Sequence, residues 1–378
     1  MKYRTMGKLG IQTSAFGLGC MRFNGEASGD STIDEGKAIS LIRQAVDGGV
    51  TYLDTAYVYL GKTSEIVLGK ALLDGYREKV TIATKMPLER VHNRAEMEEL
   101  LAEELGKLQT DHIDFYLLHG INREKWEAFK AMGAREFLED MQRAGKIRCK
   151  CFSFHGPYEE YAYILQDYDW DMVQIQYNFM DVENQAGTRG LELAGSLGIP
   201  VVIMEGLLGG RLAKAPANVQ ALYDAFPVKR SPVEWAFRWL CNHPEVAVVL
   251  SGCNEPEQIE ENLRIFDTVE AGIMSPEELQ LMEDVRAAYI SRTKIGCTGC
   301  RYCMPCPNGV NIPGIFSAWN NVSLYETDPR WDWNLRNIRE KDNGADRCVG
   351  CGACEAACPQ HLSIIDGLQA AWRDMVKE

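Results

Sequence analysis

Long apolar runs are missing from this sequence, and so is any excess of positive charge. No stretch of the 378 residues is apolar over the ~20 positions needed to cross a bilayer. The opening residues, MKYRTMGKLGIQTSAF, lack the apolar centre of a secretory signal, so a cytoplasmic location is expected. The formal charge of −14 argues against nucleic acid and anionic membrane as partners, because both repel an acidic surface. Cysteine is sparse through the first 290 residues, where Cys20, Cys149, Cys151, Cys241 and Cys253 are scattered singly or nearly so. The other eight of the thirteen lie between Cys297 and Cys358. In a reducing cytosol, such crowding points to metal ligands rather than disulfides.

The length suits one β/α barrel of about 250 residues followed by a smaller unit. Met1 to roughly Gln12 reads as a short hairpin turning at Gly7-Lys8-Leu9-Gly10. Eight strand candidates follow: Ala15–Cys20, Thr51–Asp54, Val80–Lys85, Ile113–His119, Arg148–Ser153, Met172–Tyr177, Pro200–Glu205 and Val246–Ser251. Helical patterns alternate with them, among them Asp34–Gly48, Arg94–Leu108, Arg123–Ala144, Thr188–Leu197 and Pro232–Asn242. Several strands are continuous apolar runs, as expected when both faces are buried. Eight such units favour a closed (β/α)8 barrel over an open sheet. Ser275-Pro276-Glu277-Glu278 opens a last helix with capping-box character. Composition then shifts to Cys, Pro, Gly and Trp, which sets the expected domains at 1–290 and 291–378.

Three successive strands end in ionisable groups. Thr51-Tyr52-Leu53 stops at Asp54, with Tyr59 on the loop beyond; Val80–Thr84 stops at Lys85, and Ile113–Leu118 at His119. In a parallel barrel the carboxyl ends of the strands form the catalytic face. Carbonyl reduction needs a hydride donor and a proton donor on one carbon–oxygen bond. Tyr59 suits the proton donor, because the Lys85 ammonium would stabilise its phenolate and make proton release easier. Asp54 would keep Lys85 charged and oriented, and His119 would hydrogen-bond the carbonyl oxygen. Taken singly, each has a plainer role: Asp54 as a helix cap, Tyr59 as loop packing, His119 as a satisfied core histidine.

Taken together, Asp54, Tyr59, Lys85 and His119 resemble the Asp–Tyr–Lys–His tetrad of the aldo-keto reductases, over roughly Met1–Ala288. That resemblance implies a nicotinamide cofactor, NADP or NAD, and a small carbonyl or alcohol substrate. It suggests Ser153 and Gln174 for the carboxamide, although Phe154-His155 stands where the family has Asn after the serine. Gly206, Leu207 and the Gly209-Gly210-Arg211 turn resemble the loop over the pyrophosphate, where glycine lets backbone amides approach phosphate. Ser251, Gly252, Cys253, Gln258, Glu261 and Asn262 match the segment for the adenosine phosphate. NADP-preferring members carry arginine at the position of Gln258, so the choice of dinucleotide stays open, with Lys214, Lys229 or Arg230 as substitutes. Met21, Phe23 and Trp126 are candidate pocket lining.

The tail holds Cys348, Cys351, Cys354 and Cys358-Pro359, a full C-x2-C-x2-C-x3-C-P run, and Cys297, Cys300, Cys303 and Cys306-Pro307 repeat it one residue shorter. The first three cysteines of each run share an offset of 51 (348 − 297). Such a duplicated unit is similar to the more helical dicluster ferredoxin-type domains and implies 4Fe-4S clusters, two expected, with one as the alternative. The ferredoxin crossover would group Cys297, Cys300, Cys303 and Cys358, and Cys348, Cys351, Cys354 and Cys306. Zinc usually takes two CxxC pairs from separated segments, a poorer match. Segments near Ile315–Asn320 and Ile365–Val376, with Trp319, Trp331, Trp333 and Trp372, are expected to wall the clusters. The tail would take electrons from a redox partner protein, sense redox state, or be structural. The competing reading of the whole is an electron-transfer or redox-sensing subunit whose barrel only binds nucleotide.

Overall fold

The structure, a computed structural model, describes residues 1–6, 10–23 and 33–376. A hairpin comes first: β1 (Tyr3–Met6) runs antiparallel to β2 (Ile11–Ser14), with Tyr3 opposite Ser14 and Met6 opposite Ile11. Of its expected turn, Gly7, Lys8 and Leu9 lie outside the described residues. Eight parallel strands then close into a barrel. They are β3 (Phe16–Gly19), β4 (Tyr52–Asp54), β5 (Thr81–Pro87), β6 (Ile113–Ile121), β7 (Ile147–Phe154), β8 (Met172–Gln176), β9 (Val201–Met204) and β10 (Val246–Ser251). Each expected strand is present, and β10 pairs with β3 to close the ring, Val249 opposite Phe16. At that seam Gly17 has no room for a side chain: a Cβ would stand 2.7 Å from Leu250 Cδ2 and Val248 Cγ1.

The barrel is filled rather than hollow. Tyr52, Ala83, Phe115, Leu117, Cys151, Met172, Val202 and Val248 form one buried cluster with Met6 of the hairpin. Burying a ring the size of Phe115 contributes about 2–3 kcal/mol. Arg4 ties the hairpin to the amino-terminal side of β10, its guanidinium donating to Cys241 O at 2.6 Å, to His243 O at 3.3 Å and to Val246 O. The hairpin therefore sits at the end opposite the carboxyl ends of the strands. On the same side, buried Asp114 of β6 accepts from Arg77 at 3.0 Å, Arg148 at 2.9 Å and the Ile82 amide at 2.9 Å.

The outer helices follow the sequence closely, with one break. Asn93 caps Arg94–Leu108 by accepting from Glu96 N, and Asn122 caps the next helix from Lys125 N. The single helix expected over Arg123–Ala144 is two, Arg123–Ala131 and Ala134–Arg143. Gly133, at φ 83, takes the left-handed conformation that ends the first and starts the second.

Packing divides the chain into two compact units, Met1–Gly209 with Val233–Ser275, and Gly210–Pro232 with Pro276–Glu378. The line expected between residues 290 and 291 falls inside the second unit. The physical cause is that helix Pro276–Ile290 packs on helix Ala217–Ala225 and on helix Ile312–Tyr325. The core of the second unit is built from Ile312, Ile315, Phe316, Ala318, Trp319, Leu335, Ile338, Leu368 and Ala371. Helix Ile312–Tyr325 packs on helix Ile364–Met375 there, and Trp319 Nε1 donates to Asp374 Oδ2 at 3.0 Å. Trp372 joins that core, but Trp333 does not: it is 57% exposed, at the first position of helix Trp333–Glu340. The side chain of Trp331 lies outside the described residues. Among the described residues no helix is long and apolar enough to cross a membrane.

Candidate functional site

Neighbouring strands bring the expected tetrad together at the carboxyl end of the barrel. Asp54 is the last residue of β4, Lys85 lies in β5 and His119 in β6, and Pro87 sits opposite His119 in register. Tyr59 opens a short 3-10 turn in which Leu60, Gly61 and Lys62 all have positive φ, so the chain doubles back before helix Ser64–Ala71. Lys85 Nζ donates to Asp54 Oδ1 at 2.6 Å and to Thr55 O at 2.7 Å, and it lies 4.9 Å from the centre of the Tyr59 ring. His119 meets Tyr59 edge-on, with ring centroids 6.0 Å apart. Gln174 Nε2 donates to Asp54 Oδ2 at 3.3 Å. Trp126 is not part of this site; it is fully buried beneath the outer helices, against Tyr168 and Trp170.

Burial sets the electrostatics. Lys85 and Asp54 are 1% and 3% exposed, and neither charge would persist there alone. Burial favours the neutral amine, yet Asp54 and Tyr59 together lift the Lys85 pKa above its ordinary value. Burial raises the Asp54 pKa, with Lys85 and Gln174 pulling it back. The 2.6 Å contact and the second acceptor at Thr55 O keep the proton on the amine. For Tyr59, burial outweighs the pull of Lys85, so its pKa is raised rather than lowered and the phenol stays protonated. The His119 pKa is pushed down to about 3, by burial first and by Lys85 next, so the ring is neutral at physiological pH.

In the second unit the cysteines surround two cavities. Cys297, Cys300, Cys303 and Cys358 line one, with Ile312, Phe316 and Leu362. Cys306, Cys348, Cys351 and Cys354 line the other, with Val310 and Leu368, and Cys303 stands in its wall too. Each run has one exposed member, Cys300 and Cys351, at equivalent positions. The repeat extends to the backbone: Gly299 and Arg301 have positive φ, as do Gly350 and Gly352 at the same offset. Left-handed residues between such cysteines turn backbone N–H groups toward an anionic centre. Among the described residues no three His, Cys, Asp or Glu side chains converge on the spacing of a single metal ion.

Residues 15–282 match the family model described as Aldo/keto reductase family. The chain belongs to that family. Residues 296–363 match the model described as a 4Fe-4S dicluster domain, so the barrel of this aldo/keto reductase is followed by a ferredoxin-type iron–sulfur region. Aldo-keto reductase YhdN of Bacillus subtilis (strain 168) is 35% identical over 158 residues, 39% of this chain and 45% of that protein, so this match spans less than half of that relative. The uncharacterized oxidoreductase YrpG of the same organism is 26% identical over 331 residues, 75% of this chain and 96% of that protein. Among solved structures, the holo form of aldo-keto reductase AKR11C1 from Bacillus halodurans superposes with a TM-score of 0.64 at 25% identity, covering 75% of this chain and 96% of that one. An aldo-keto reductase from Klebsiella pneumoniae in complex with NADPH shares the fold, with a TM-score of 0.60 at 22% identity over 76% of this chain and 96% of that one.

The residues expected at the cofactor of this aldo/keto reductase fall into three places in the barrel unit. Ser153 and Gln174 are opposite each other across β7 and β8, both buried. Ser153 Oγ accepts from Gly120 N at 2.8 Å, which leaves its hydroxyl free to donate, while Gln174 Oε1 is buried without a hydrogen-bond partner. After β9, a side chain at Gly206 would stand 2.7 Å from Leu240 Cδ1, so only glycine lets the chain pass helix Pro232–Asn242. Leu207 follows, then Leu208 and Gly209 at φ 48 and 69. After β10, Asn262 Nδ2 lies 3.1 Å from Ser251 Oγ and 3.0 Å from Cys253 Sγ, with Gly252 exposed between them. Gln258 Oε1 accepts from Asn254 N at 3.0 Å, and Glu261 lies on the same helix, Pro256–Phe266. His155 is exposed, its Nδ1 3.2 Å from Gln185 Oε1. Sequence reasoning missed Thr55, whose carbonyl is the second anchor of Lys85, since backbone acceptors leave no residue-type signal.

Proposed function

We propose that the barrel moves a hydride between NADP or NAD and a small carbonyl or alcohol, with Tyr59 as the proton donor. One observation carries this reading: a buried Lys85–Asp54 pair at 2.6 Å beneath a tyrosine that a neutral histidine meets edge-on. The nicotinamide ring, when bound, supplies or accepts the hydride. Its carboxamide suits Gln174 Oε1, a buried acceptor with no other donor, and the Ser153 hydroxyl. In the reducing direction Tyr59 Oη gives its proton to the carbonyl oxygen, and the charge left on the phenolate is stabilised by the Lys85 ammonium. Asp54 holds Lys85 in its charged form, and neutral His119 donates a hydrogen bond that orients the carbonyl.

For the second unit we propose two 4Fe-4S clusters, held by Cys297, Cys300, Cys303 and Cys358, and by Cys306, Cys348, Cys351 and Cys354. Two cysteine-lined cavities support this grouping, one walled by Cys297, Cys300, Cys303 and Cys358 and the other by Cys306, Cys348, Cys351 and Cys354, with Cys303 shared between them. Three cysteines on one tight turn followed by a Cys-Pro suit a cubane better than zinc, which usually takes two CxxC pairs from separated segments. Such clusters would exchange electrons with a redox partner protein or report redox state, in a reducing compartment such as the cytoplasm. The test is anaerobic purification with iron and sulfide analysis, followed by NADPH and NADH oxidation against a carbonyl panel. Turnover that vanishes in Tyr59→Phe supports the reductase. No turnover, with reduced clusters passing electrons to a protein acceptor, would favour a barrel that only binds nucleotide.

A further inference from the structure

The loop that presents Tyr59 is costly backbone. Leu60 and Lys62 hold φ 49 and 72, a left-handed conformation that residues other than glycine keep only where the surrounding structure imposes it. Thr63 Oγ1 donates to Leu60 O at 2.6 Å inside the loop, and a bond of 2.8 Å between Thr55 Oγ1 and Ser64 Oγ shuts it at the base. Ser64 begins helix Ser64–Ala71, and its hydroxyl reaches back to the barrel, where it also donates to Cys20 O at 2.8 Å. Its one proton is spent there, so Thr55 is the donor in the first bond. Cys20 and Thr55 directly follow β3 and β4, and Cys20 N donates to Asp54 O at 2.8 Å. Cys20, Thr55 and Ser64 are all fully buried. Thr55 has a second duty: its N–H donates to Ala83 O at 2.8 Å, and its carbonyl accepts from Lys85 Nζ at 2.7 Å. The residue after Ser64 anchors the helix end on its own account. Glu65 Oε1 accepts from Thr84 Oγ1 at 2.6 Å, and Thr84 directly precedes Lys85.

We infer that Ser64 is a positioning residue for the proton donor, setting Tyr59 and the Lys85 ammonium together through its bond to Thr55. This rests on the hydride-transfer reading above and extends it to a buried side chain outside the tetrad. The argument is geometric. One hydroxyl pair closes the loop that carries the phenol and also holds the residue whose carbonyl anchors the ammonium. If the base of the loop opens, the phenol moves with it. If the Thr55 carbonyl moves, Lys85 Nζ loses one of its two acceptors, and the 4.9 Å between that nitrogen and the Tyr59 ring depends on both. A misplacement of about 1 Å at reacting groups costs on the order of a hundredfold in rate. Neither Thr55 nor Ser64 belongs to the segments expected at the nucleotide, so loss of the bond should separate proton transfer from cofactor binding.

The experiment compares the full chain, purified anaerobically, with Ser64→Ala, Thr55→Val and Thr55→Ser. Thr55→Val keeps the shape and loses the hydroxyl, whereas Thr55→Ser keeps the hydroxyl. Each is measured for dinucleotide Kd by fluorescence, for kcat and KM with a carbonyl that wild type reduces, and for the solvent deuterium isotope effect on kcat, with thermal unfolding as the check on folding. Ser64→Ala and Thr55→Val should lower kcat about ten- to a hundredfold while Kd stays within about twofold of wild type. The isotope effect should rise as proton transfer becomes limiting, and Thr55→Ser should stay near wild type. The double variant Thr55→Val with Ser64→Ala should be no slower than the slower single one, because both lose the same bond. A wild-type kcat in the folded variants overturns the assignment. So does a fall in kcat with an unchanged isotope effect, which marks lost active protein, or a Thr55→Ser as slow as Thr55→Val, which marks packing. Losses that multiply in the double variant overturn it too. Should Ser64→Ala fail to fold, Thr55→Val against Thr55→Ser decides on the same criteria. A wild type that reduces no carbonyl overturns the hydride-transfer reading itself, and Ser64 with it.

Discussion

The barrel draws its candidate site from five strands and a turn spread over Asp54 to Gln174, whereas the cysteines of the tail come from two short runs, Cys297–Cys306 and Cys348–Cys358. The barrel site has buried charges neutralised in place, with Lys85 and Asp54 held in an apolar wall. The tail cavities rest on local backbone instead, with glycines and one arginine in left-handed conformations between the thiols. A site assembled by register should fail all at once when one buried partner is removed. One assembled by short repeats should fail by halves.

Tyr59→Phe gives the sharpest form of that contrast. It should lower carbonyl reduction by about 10²–10⁴-fold while iron content stays at the wild-type level, as read by steady-state kinetics and iron analysis side by side. Lys85→Met should damage both rate and fold, because it leaves Asp54 buried without its partner. A destabilisation of about 3–5 kcal/mol in denaturant unfolding is expected, and Asp54→Asn combined with Lys85→Met should recover part of it. Recovery would show that the stranded charge, rather than lost packing, is the cause.

For the tail, Cys358→Ser should remove roughly half of the iron. If the grouping is crossed, the lost half is the one attached to the first run, so Cys358→Ser and Cys300→Ser should give the same residual paramagnetic spectrum, and Cys306→Ser the other. Matching spectra for Cys358→Ser and Cys351→Ser would overturn the crossed grouping. The pH dependence is gentler. His119 in the fold has its pKa pushed below the ordinary 6.5 to about 3, so between those values the unfolded chain takes up a proton that the folded chain refuses. Its contribution to stability is present above pH 6.5 and is lost as pH falls toward 3. The rate of carbonyl reduction should show no break near pH 6–7 from this group, and the basic limb should lie above the ordinary tyrosine value of 10, since Tyr59 is raised. A limb near 6.5 that disappears in His119→Gln would contradict the neutral histidine. The smallest effect belongs to Trp333→Ala, where an exposed ring should change stability by no more than about 0.5 kcal/mol.

How far each part could be read from the sequence follows from the same contrast. The eight strands were legible because a strand buried on both faces must be a short, nearly continuous apolar run. The cysteine runs were legible because their spacing is local and repeated. Asp54 and Asp114 are harder, each a buried carboxylate in a barrel strand. One ends its strand at the mouth beside Lys85, and the other begins its strand at the far end between Arg77 and Arg148. Only strand direction distinguishes them. The helix break at Gly133 and the exposure of Trp333 also depend on how neighbouring elements pack.

The sequence by itself determined the alternation of elements, the tetrad residue types and the doubled cysteine spacing, all of which follow from short-range pattern. Tertiary structure alone decided that Lys85 keeps its charge, that burial outweighs the pull of Lys85 on the Tyr59 pKa, and that helix Pro276–Ile290 packs with the second unit. Those outcomes depend on burial and on contacts between residues far apart in the chain, and neither is written into any local stretch of amino acids.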